Sequence, residues 1–250
     1  MFNDVVLLPM PHNSQPHKRV LLKLSGEQFA GDREYGIDPN FVNRLAKELA
    51  ETIESTGVQM AIIVGGGNIM RGASVAKSGI ERATGDYMGM LATLINGMAL
   101  VDILEANGVP ARLQTRVRAD QVAEPYIRGR GLRHLEKGRV VVVSGGTGNP
   151  YVTTDTAAVT TALELECGVV LKATKVDGVY DKDPAKYPDA VRHSALSFDK
   201  VLTNPLMSVM DNAAISLAMD NHLPIVIFDL LTHGNIRRVI EGQDIGTKVS

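Results

Sequence analysis

Two lysines at the ends of apolar segments could hold a phosphate group. Lys23 lies near the end of the apolar run 20–24, and Lys172 follows the apolar run 169–171. A single lysine at a strand end commonly extends its ammonium group into solvent. Two lysines at one edge of a sheet would instead clamp a phosphoryl group and stabilise the charge that moves during its transfer. The pair therefore indicates phosphoryl transfer, with solvent exposure of each lysine as the alternative.

Three glycine-rich segments, each after a predicted strand, indicate the same chemistry. They are residues 23–27, 65–68 and 144–150. In an open α/β sheet ligands bind at the carboxyl ends of the strands, and glycine lets backbone N–H groups approach an anion closely. Any one of these segments could be only a turn. Three of them at one edge predict a site for a large compound that carries several phosphate charges.

Asp155 stands at the start of a predicted helix, directly after the third segment. A carboxylate in a first helical turn is stabilised by the helix dipole, so Asp155 could have a purely structural role. It could equally orient the two lysines or hold Mg²⁺. Residue spacing alone leaves both roles open.

The sequence lacks the motifs of several other classes. It contains no P-loop, no HRD or DFG motif, no complete dinucleotide-binding fingerprint after Gly65, and no histidine pair at metal-ligand spacing. The net charge of −2 provides no global basic field for nucleic acid. The single cysteine, Cys167, lies in an apolar stretch and is predicted to be a buried, inert thiol in a reducing compartment.

The elements that must position these groups alternate along the chain. Short apolar runs predict strands and longer amphipathic runs predict helices, which is typical of a mainly parallel sheet covered by helices. We predict an α/β fold, a three-layer αβα sandwich in one domain over residues 18–250, after a loose leader at 1–17. The predicted strands are 19–24, 58–64, 111–114, 140–143, 168–172 and 225–228, with an edge strand at 247–249, and the predicted helices are 39–56, 79–107, 127–137, 154–166, 208–221 and 235–241.

The longest uncharged run, residues 87–101, is relevant to where in the cell the protein lies. It is shorter than the roughly 20 apolar residues that a membrane-spanning helix needs, so we interpret it as a buried or interface helix. Residues 1–17 lack the basic start and long apolar centre of a signal peptide. We therefore expect a cytoplasmic protein without membrane contact.

Several longer segments also match the pattern of one known family. They are K-L-S-G-E at 23–27, G-G-G-N-I-M-R-G at 65–72, G-D-Y-M-G-M-L-A-T at 85–93, G-T-G-N-P-Y-V-T-T-D at 146–155 and L-K-A-T-K-V-D-G-V-Y at 171–180. On these segments the chain resembles the bacterial UMP kinases, a branch of the amino acid kinase family. The G-D-Y-M-G and G-T-G-N-P segments are typical of that branch, and the lysine and glycine loops are shared with the wider family.

The resemblance implies direct transfer of the ATP γ-phosphoryl group to UMP, giving UDP and ADP in pyrimidine nucleotide biosynthesis. The transfer would be in-line and without a covalent enzyme intermediate, so the protein would position two anions and offset their repulsion. Mg²⁺ would be bound mainly through the ATP phosphates. Members of this branch are typically homohexamers, activated by GTP and inhibited by UTP, so these nucleotides and further copies of the chain are the expected partners.

The resemblance also assigns roles to residues at matching positions. Lys23 and Lys172 would stabilise the transferring phosphoryl group, Asp155 would organise them, and Asp211 would belong to the same network. Asp86 would bind the uridine ribose, although at the start of the long helix it could be only a cap. The residues expected to bind ATP are Lys23, Leu24, Ser25, Gly26, Gly67, Arg71, Thr174, Tyr180 and Asp183. Those expected to bind UMP are Gly66, Asp86, Thr147, Gly148, Asn149, Pro150, Tyr151, Val152, Thr153 and Thr154.

Two other functions are alternatives. Another amino acid kinase would act on a carboxylate, carbamate or phosphonate, and a carboxylate substrate would not need the pattern around Asp86 or residues 147–154. A nucleotide-binding or oxyanion-storage protein could keep the fold without turnover. Loss of Lys23, Lys172 or Asp155 would then be expected, and all are present.

Overall fold

The computed structural model of the protein describes residues 17–70, 79–182, 184, 186–207 and 209–250. In these residues the strands are β1 (Arg19–Leu24), β2 (Gln59–Val64), β3 (Ala111–Thr115), β4 (Glu124–Pro125), β5 (Val140–Ser144), β6 (Val170–Thr174), β7 (Val179–Tyr180), β8 (Arg192–His193), β9 (Ala195–Leu196), β10 (Ile225–Asp229) and β11 (Thr247–Val249). The helices are α1 (Gly26–Phe29), α2 (Pro39–Thr56), α3 (Arg82–Ala106), α4 (Arg128–Glu136), α5 (Thr154–Glu164), α6 (Phe198–Thr203), α7 (Asn212–Asp220) and α8 (Asn235–Ile240).

One large sheet organises the described residues. Its strand order is β4-β3-β5-β2-β1-β6-β10-β11-β9, and β7 and β8 form a separate hairpin. Neighbouring strands of the large sheet run parallel, except for the antiparallel pair β10 and β11. The predicted α/β fold with a mainly parallel central sheet is therefore confirmed.

The sheet has helices on both faces, because successive residues of a strand point to opposite sides. Leu22 and Leu171 pack on the face covered by α2, α3 and α8. Leu21 and Val170 pack on the face covered by α4, α5 and α7. By the same alternation Lys23 and Lys172 lie on the α5 face, so the strand pattern alone directs both lysines to one side of the sheet.

Helix boundaries follow capping chemistry more closely than hydrophobic period. For α2 the prediction is confirmed: Asp38 accepts a hydrogen bond from the Asn40 N–H at 3.0 Å, and Gly57 ends the helix with a φ of 66°. Helix α7 begins at Asn212, later than the predicted residue 208, because the Asp211 side chain caps it. A short 3₁₀ helix, Pro205–Met207, precedes that cap.

The prediction that residues 247–249 form an edge strand is wrong. This segment, β11, pairs with β10 on one side and with β9 on the other, so it lies inside the sheet. The outer neighbour β9 is only two residues long. A strand that short has no recognisable hydrophobic period, so it could not be predicted from the sequence.

Helix α3 contains the long uncharged run. By length and hydropathy it is a helix that could cross a membrane. One side of the helix packs inside the domain, since Leu94, Leu100 and Leu104 are buried against the sheet. The predicted buried helix is therefore confirmed for this face.

Cys167 lies between α5 and β6 and is 6% exposed. Burial raises the pKa of its thiol to about 12. The thiol is therefore protonated at neutral pH, and the prediction of a buried cysteine is confirmed.

Candidate active site

Lys23, Lys172 and Asp155 form a cluster at the carboxyl edge of the sheet. Lys23 on β1 and Lys172 on β6 are register partners on neighbouring strands. The first turn of α5 brings Asp155 between them, with its Oδ1 2.6 Å from Nζ of Lys23 and its Oδ2 2.8 Å from Nζ of Lys172. None of the three side chains is more than 15% exposed. The alternative of solvent-exposed lysines is wrong, and Asp155 does orient both ammonium groups.

The members of this cluster change each other's pKa values. Burial alone would raise the pKa of Asp155, but Lys23 and Lys172 outweigh burial and hold that pKa below its ordinary value. Burial lowers the pKa of Lys172, and Lys23 lowers it further, while Asp155 opposes the shift. With both lysines protonated, the cluster carries a net positive charge in a place shielded from water. Such a place favours an anionic ligand.

Asp211 braces the two helices beside the lysines. Its carboxylate, at the start of α7, accepts hydrogen bonds from the hydroxyl groups of Thr153 and Thr156 at the start of α5. Lys172 donates a hydrogen bond to the carbonyl oxygen of Val209, just before Asp211 in the chain. The structure thus brings Asp211 into the network around Lys172, as predicted, in a bracing position.

The first two glycine-rich loops touch each other through their backbones. A Cβ built on Gly26 would lie 2.5 Å from the Gly67 nitrogen and 2.8 Å from the Gly65 carbonyl oxygen. The Gly65 N–H donates to the carbonyl oxygen of Leu24 at 2.9 Å. Ser25 stands between these contacts as the N-cap of α1. The residues predicted to hold the ATP phosphates are therefore brought together, at a spacing that only glycine allows.

An amide pair that the sequence did not reveal fixes the second loop on α3. Asn68 donates to Oδ1 of Asn96 at 3.0 Å, and Asn96 donates to Oδ1 of Asn68 at 2.7 Å and to the Gly65 carbonyl oxygen at 2.8 Å. Both side chains are buried. The only available signal was an asparagine within an apolar helix, because a buried amide requires partners.

Gly66 lets α3 approach the second loop closely. A Cβ there would lie 2.7 Å from the Gly89 carbonyl oxygen and 2.8 Å from Cβ of Ala92. We therefore expect Gly66→Ala to lower the free energy of unfolding by about 1–3 kcal/mol, measured by chemical denaturation. Gly129→Ala is the control, since nothing lies within 4 Å of that helical position, and it should be neutral or slightly stabilising. Unchanged stability of Gly66→Ala would contradict the close packing.

The third loop, from which residues 147–154 lead into α5, depends on left-handed backbone. Gly145, Gly146 and Gly148 have φ values of 82°, 56° and 82°, and Tyr151 has a φ of 68°, which is uncommon for a residue with a side chain. Thr93 of α3 accepts a hydrogen bond from the Gly145 N–H at 2.8 Å. The loop is thus held in one defined shape against α3.

Asp86 joins α3 to this loop. Residues 82–85 are already helical, so Asp86 lies in the second turn, and its interpretation as a cap is wrong. Its carboxylate accepts hydrogen bonds from Nε of Arg82 at 2.9 and 3.0 Å and from the Tyr151 N–H at 2.8 Å. The structure therefore brings Asp86 together with the other residues predicted to bind UMP. It also adds Arg82, which the sequence did not single out.

Two further residues predicted to bind ATP, Thr174 and Tyr180, lie at the end of β6 and in the strand that follows it. Thr174 ends β6, and its hydroxyl group donates to the carbonyl oxygen of Val176 at 2.5 Å. Tyr180 lies in β7 and donates to Oδ1 of Asp177 at 2.6 Å. These contacts are local to the connection after β6. The other predicted residues, Arg71 and Asp183, lie outside the described residues.

The class of protein follows from a family comparison. Residues 18–229 match the amino acid kinase family. Because this match spans most of the sequence, the chain belongs to the amino acid kinase family. The prediction that it is a kinase is confirmed.

Solved structures give the branch of the family. The UMP kinase from Bacillus anthracis is similar with a TM-score of 0.90 and 36% identity, over 94% of this chain and 97% of that chain. The UMP kinase from Ureaplasma parvum is similar with a TM-score of 0.86 and 32% identity, over 93% of this chain and 98% of that chain. The uridylate kinase from Archaeoglobus fulgidus, at 24% identity and a TM-score of 0.71, shares the fold over 92% of this chain and 99% of that chain. The resemblance to UMP kinases stated from the motifs is confirmed.

Proposed function

We propose that this protein transfers the γ-phosphoryl group of ATP to UMP, forming ADP and UDP. The observation that carries the proposal is the buried cluster of Lys23, Asp155 and Lys172 at the edge where the glycine-rich loops meet. The similarity to UMP kinases over almost the whole chain favours UMP as the acceptor.

The chemistry needs positioning and positive charge more than it needs an acid or a base. An oxygen of the UMP phosphate attacks the γ-phosphorus, and the bond from that phosphorus to the ADP oxygen breaks. Lys23 and Lys172 would donate hydrogen bonds to the oxygens of the transferring group and keep their own protons throughout. Asp155 would hold both ammonium groups in place, so that little reorganisation accompanies transfer.

The loops supply a place for each nucleotide. The ATP phosphates would lie along Ser25, Gly26 and Gly67, in the two loops that meet just after Lys23. UMP would lie on the third loop and on Asp86. That carboxylate accepts from two donors, the Nε–H of Arg82, which its two oxygens share, and the Tyr151 N–H. Its two oxygens can accept about four hydrogen bonds, so a ribose hydroxyl group can still be bound.

We propose that Mg²⁺ arrives with ATP. In the part of the chain that the structure describes, no group of three or more His, Cys, Asp or Glu side chains could hold a metal ion. Both carboxylate oxygens of Asp155 face lysines. This donor set fits an ion held mainly by phosphate oxygens, which would offset the charge of the ATP phosphates.

A coupled assay of ADP release tests the function. ATP and Mg²⁺ would be supplied with UMP, CMP, AMP, aspartate, glutamate or carbamate in turn. We expect turnover with UMP, and turnover with an amino acid or carbamate would instead identify a different member of the family. Tight nucleotide binding without turnover would favour a storage or regulatory protein and contradict the mechanism.

We further propose that the protein is cytoplasmic, as expected from its sequence, and that it is regulated by GTP and UTP, as the resemblance implies. Added to the same assay, GTP should raise the rate and UTP should lower it. Rates that neither nucleotide changes would contradict this regulation.

We also propose that copies of the chain associate through the outer face of α3. Tyr87, Leu91, Ile95 and Met98 are 47%, 47%, 49% and 41% exposed. Residues three and four apart lie on one side of a helix, so these four side chains form a single apolar stripe. A contiguous exposed stripe of this kind is typical of a contact surface, which favours a homo-oligomer and, by resemblance, a hexamer.

Replacing Ile95 with glutamate should yield smaller assemblies than the wild-type protein, because association would bury a charge in the apolar stripe. Light scattering coupled to size-exclusion chromatography measures the mass of each variant. Val191→Glu is the control, since Val191 is 61% exposed but lies outside α3. A wild-type protein that is monomeric, or an Ile95→Glu variant of unchanged mass, would contradict this interface.

A further inference from the structure

We propose that Arg116 is a positioning residue that sets the shape of the third glycine-rich loop and thereby the affinity for the acceptor nucleotide. Arg116 directly follows β3, and its backbone N–H donates to the carbonyl oxygen of Ser144 at 3.0 Å. Ser144 is the last residue of β5, from which the loop departs. The name of the acceptor rests on the proposed function, whereas the geometry of the support does not.

The guanidinium group of Arg116 is fixed from three directions. Nη2 donates to Oε2 of Glu164 at 2.5 Å and to the hydroxyl group of Thr161 at 3.1 Å, and both acceptors lie on α5. The guanidinium carbon lies 4.1 Å from the centre of the Tyr126 ring. Tyr126 in turn donates its hydroxyl hydrogen to Oε2 of Glu164 at 2.7 Å. Burial and this hydrogen bond raise the pKa of Tyr126, so it remains a donor at neutral pH.

These four residues, Arg116, Tyr126, Thr161 and Glu164, are called the arginine strut below. The strut is built for rigidity, because the planar guanidinium group stacks on an aromatic ring and binds a carboxylate at the same time. The side chain of Arg116 is 16% exposed and that of Glu164 is 32% exposed. A contact shielded to this degree contributes more than an exposed ion pair.

The backbone of Arg116 forms the support behind the loop. A Cβ built on Gly145 would lie 2.8 Å from the Val117 nitrogen and 3.1 Å from the Arg116 nitrogen. A Cβ built on Gly148 would lie 3.5 Å from Cβ of Arg116. The loop therefore rests directly on residues 116 and 117, and the side chain of Arg116 ties that support to α5, the helix into which the loop leads.

The position of the strut predicts which substrate it affects. Arg116 contacts the end of β5, the third loop, α5 and Tyr126, whereas the proposed ATP loops contact each other through Gly26 and Gly67. Thr161 and Glu164 lie more than one helical turn beyond Asp155, so the lysine cluster keeps its own contacts when the strut is lost. Loss of the strut should therefore raise KM for UMP and leave kcat at saturating UMP nearly unchanged.

The experiment compares Arg116→Ala, Arg116→Lys and the control Arg128→Ala. Arg128 forms a 2.6 Å ion pair with Glu166, near the end of α5 and on the surface, so the control removes the same residue type without touching the loop. We expect Arg116→Ala to raise KM for UMP about tenfold, with KM for ATP and kcat within about threefold of wild type. Arg116→Lys should recover only part of this loss, because an ammonium group has no planar fork to stack and bind together.

Hydrogen exchange of the ligand-free protein tests the strut without any substrate. Peptides covering residues 144–153 should exchange faster in Arg116→Ala, and those covering β1 and β2 should not. Arg128→Ala should match the wild type throughout. Should Arg116→Ala fail to fold, Arg116→Lys provides the same comparison.

The outcomes separate this inference from the proposed function. If the wild-type protein does not phosphorylate UMP, the proposed function fails, while faster exchange confined to residues 144–153 would still support the strut. Unchanged exchange of the loop together with an unchanged KM for UMP would overturn the inference. Equal increases in KM for UMP and for ATP would also overturn it, since they would show a general loss of structure.

Discussion

Replacing Lys172 with alanine is expected to lower kcat for phosphoryl transfer to UMP about 10³-fold. The ammonium group is buried, lies 2.8 Å from Asp155, and is the partner of Lys23 across β1 and β6. Loss of one fixed donor to a transition-state oxyanion typically costs a factor of about 10² to 10³, and here a full charge is lost as well. The measurement is the initial rate of ADP release at saturating ATP and UMP.

Lys137→Ala is the control for this prediction. Lys137 is an exposed lysine at the end of α4, so its loss removes the same charge from the surface and should leave kcat unchanged. Circular dichroism and a thermal melt would show that Lys172→Ala remains folded. A folded Lys172→Ala enzyme with a kcat within about tenfold of wild type would contradict the lysine clamp.

Replacing Asp155 with asparagine is expected to lower kcat about 10²-fold and to weaken the fold. Asparagine keeps the shape but removes the negative charge that lies 2.6 and 2.8 Å from the two buried ammonium groups. Removing one partner of a buried ionic cluster typically costs about 3 kcal/mol or more. Kinetics and urea denaturation at pH 7 measure the two effects.

The stability that the Asp155 carboxylate contributes should depend on pH, because folding shifts its pKa. The pKa of Asp155 is lowered in the folded protein, so its contribution to stability is present above the ordinary carboxyl pKa and is lost as the pH falls through the folded value. The stability difference between wild type and Asp155→Asn should therefore be full at pH 7 and shrink in acid.

The dependence of the reaction rate on pH, on the alkaline side, tests the role of the Lys172 ammonium group. Burial, with a further contribution from Lys23, lowers the pKa of Lys172, while Asp155 opposes that shift. The rate should therefore fall as the pH rises through a value below the ordinary lysine pKa. In Asp155→Asn this alkaline limb should move to still lower pH, because the carboxylate that opposed the shift is gone.

Asp199→Asn is the matched control for both effects. Asp199 is the second residue of α6, as Asp155 is of α5, and each lies two residues after a capping hydroxyl residue. Asp199 is exposed, so its replacement should change neither kcat nor the alkaline limb. If Asp155→Asn and Asp199→Asn behaved alike, the role of Asp155 would be only that of a first-turn carboxylate.

Much of the fold could be predicted from the sequence because local chemistry marks it. The strands beside the site are continuous apolar runs, and Asp38, Pro39 and Gly57 delimit α2 as capping preferences require. The elements that were missed or misjudged are short or depend on distant partners. Strand β9 has two residues, and the interior position of β11 exists only because β9 pairs with it.

For the candidate site too, one part could be predicted from the sequence and another part could not. Residue types and motifs by themselves determined that the chain belongs to the amino acid kinase family, because short loops at strand ends carry that information locally. Only the tertiary structure decided that Asp155 reaches both lysines, since 17 residues separate Asp155 from Lys172 and their contact depends on how α5 packs on the sheet.

The residues that support the site could not be predicted from the sequence, for the same physical reason. Asn68 and Asn96 pair across 28 residues, and Arg116 reaches Glu164 across 48 residues. An amide or a guanidinium group looks the same in a sequence whether it is solvated or buried. Its partner is set by the packing of helices on the sheet, which no local pattern encodes.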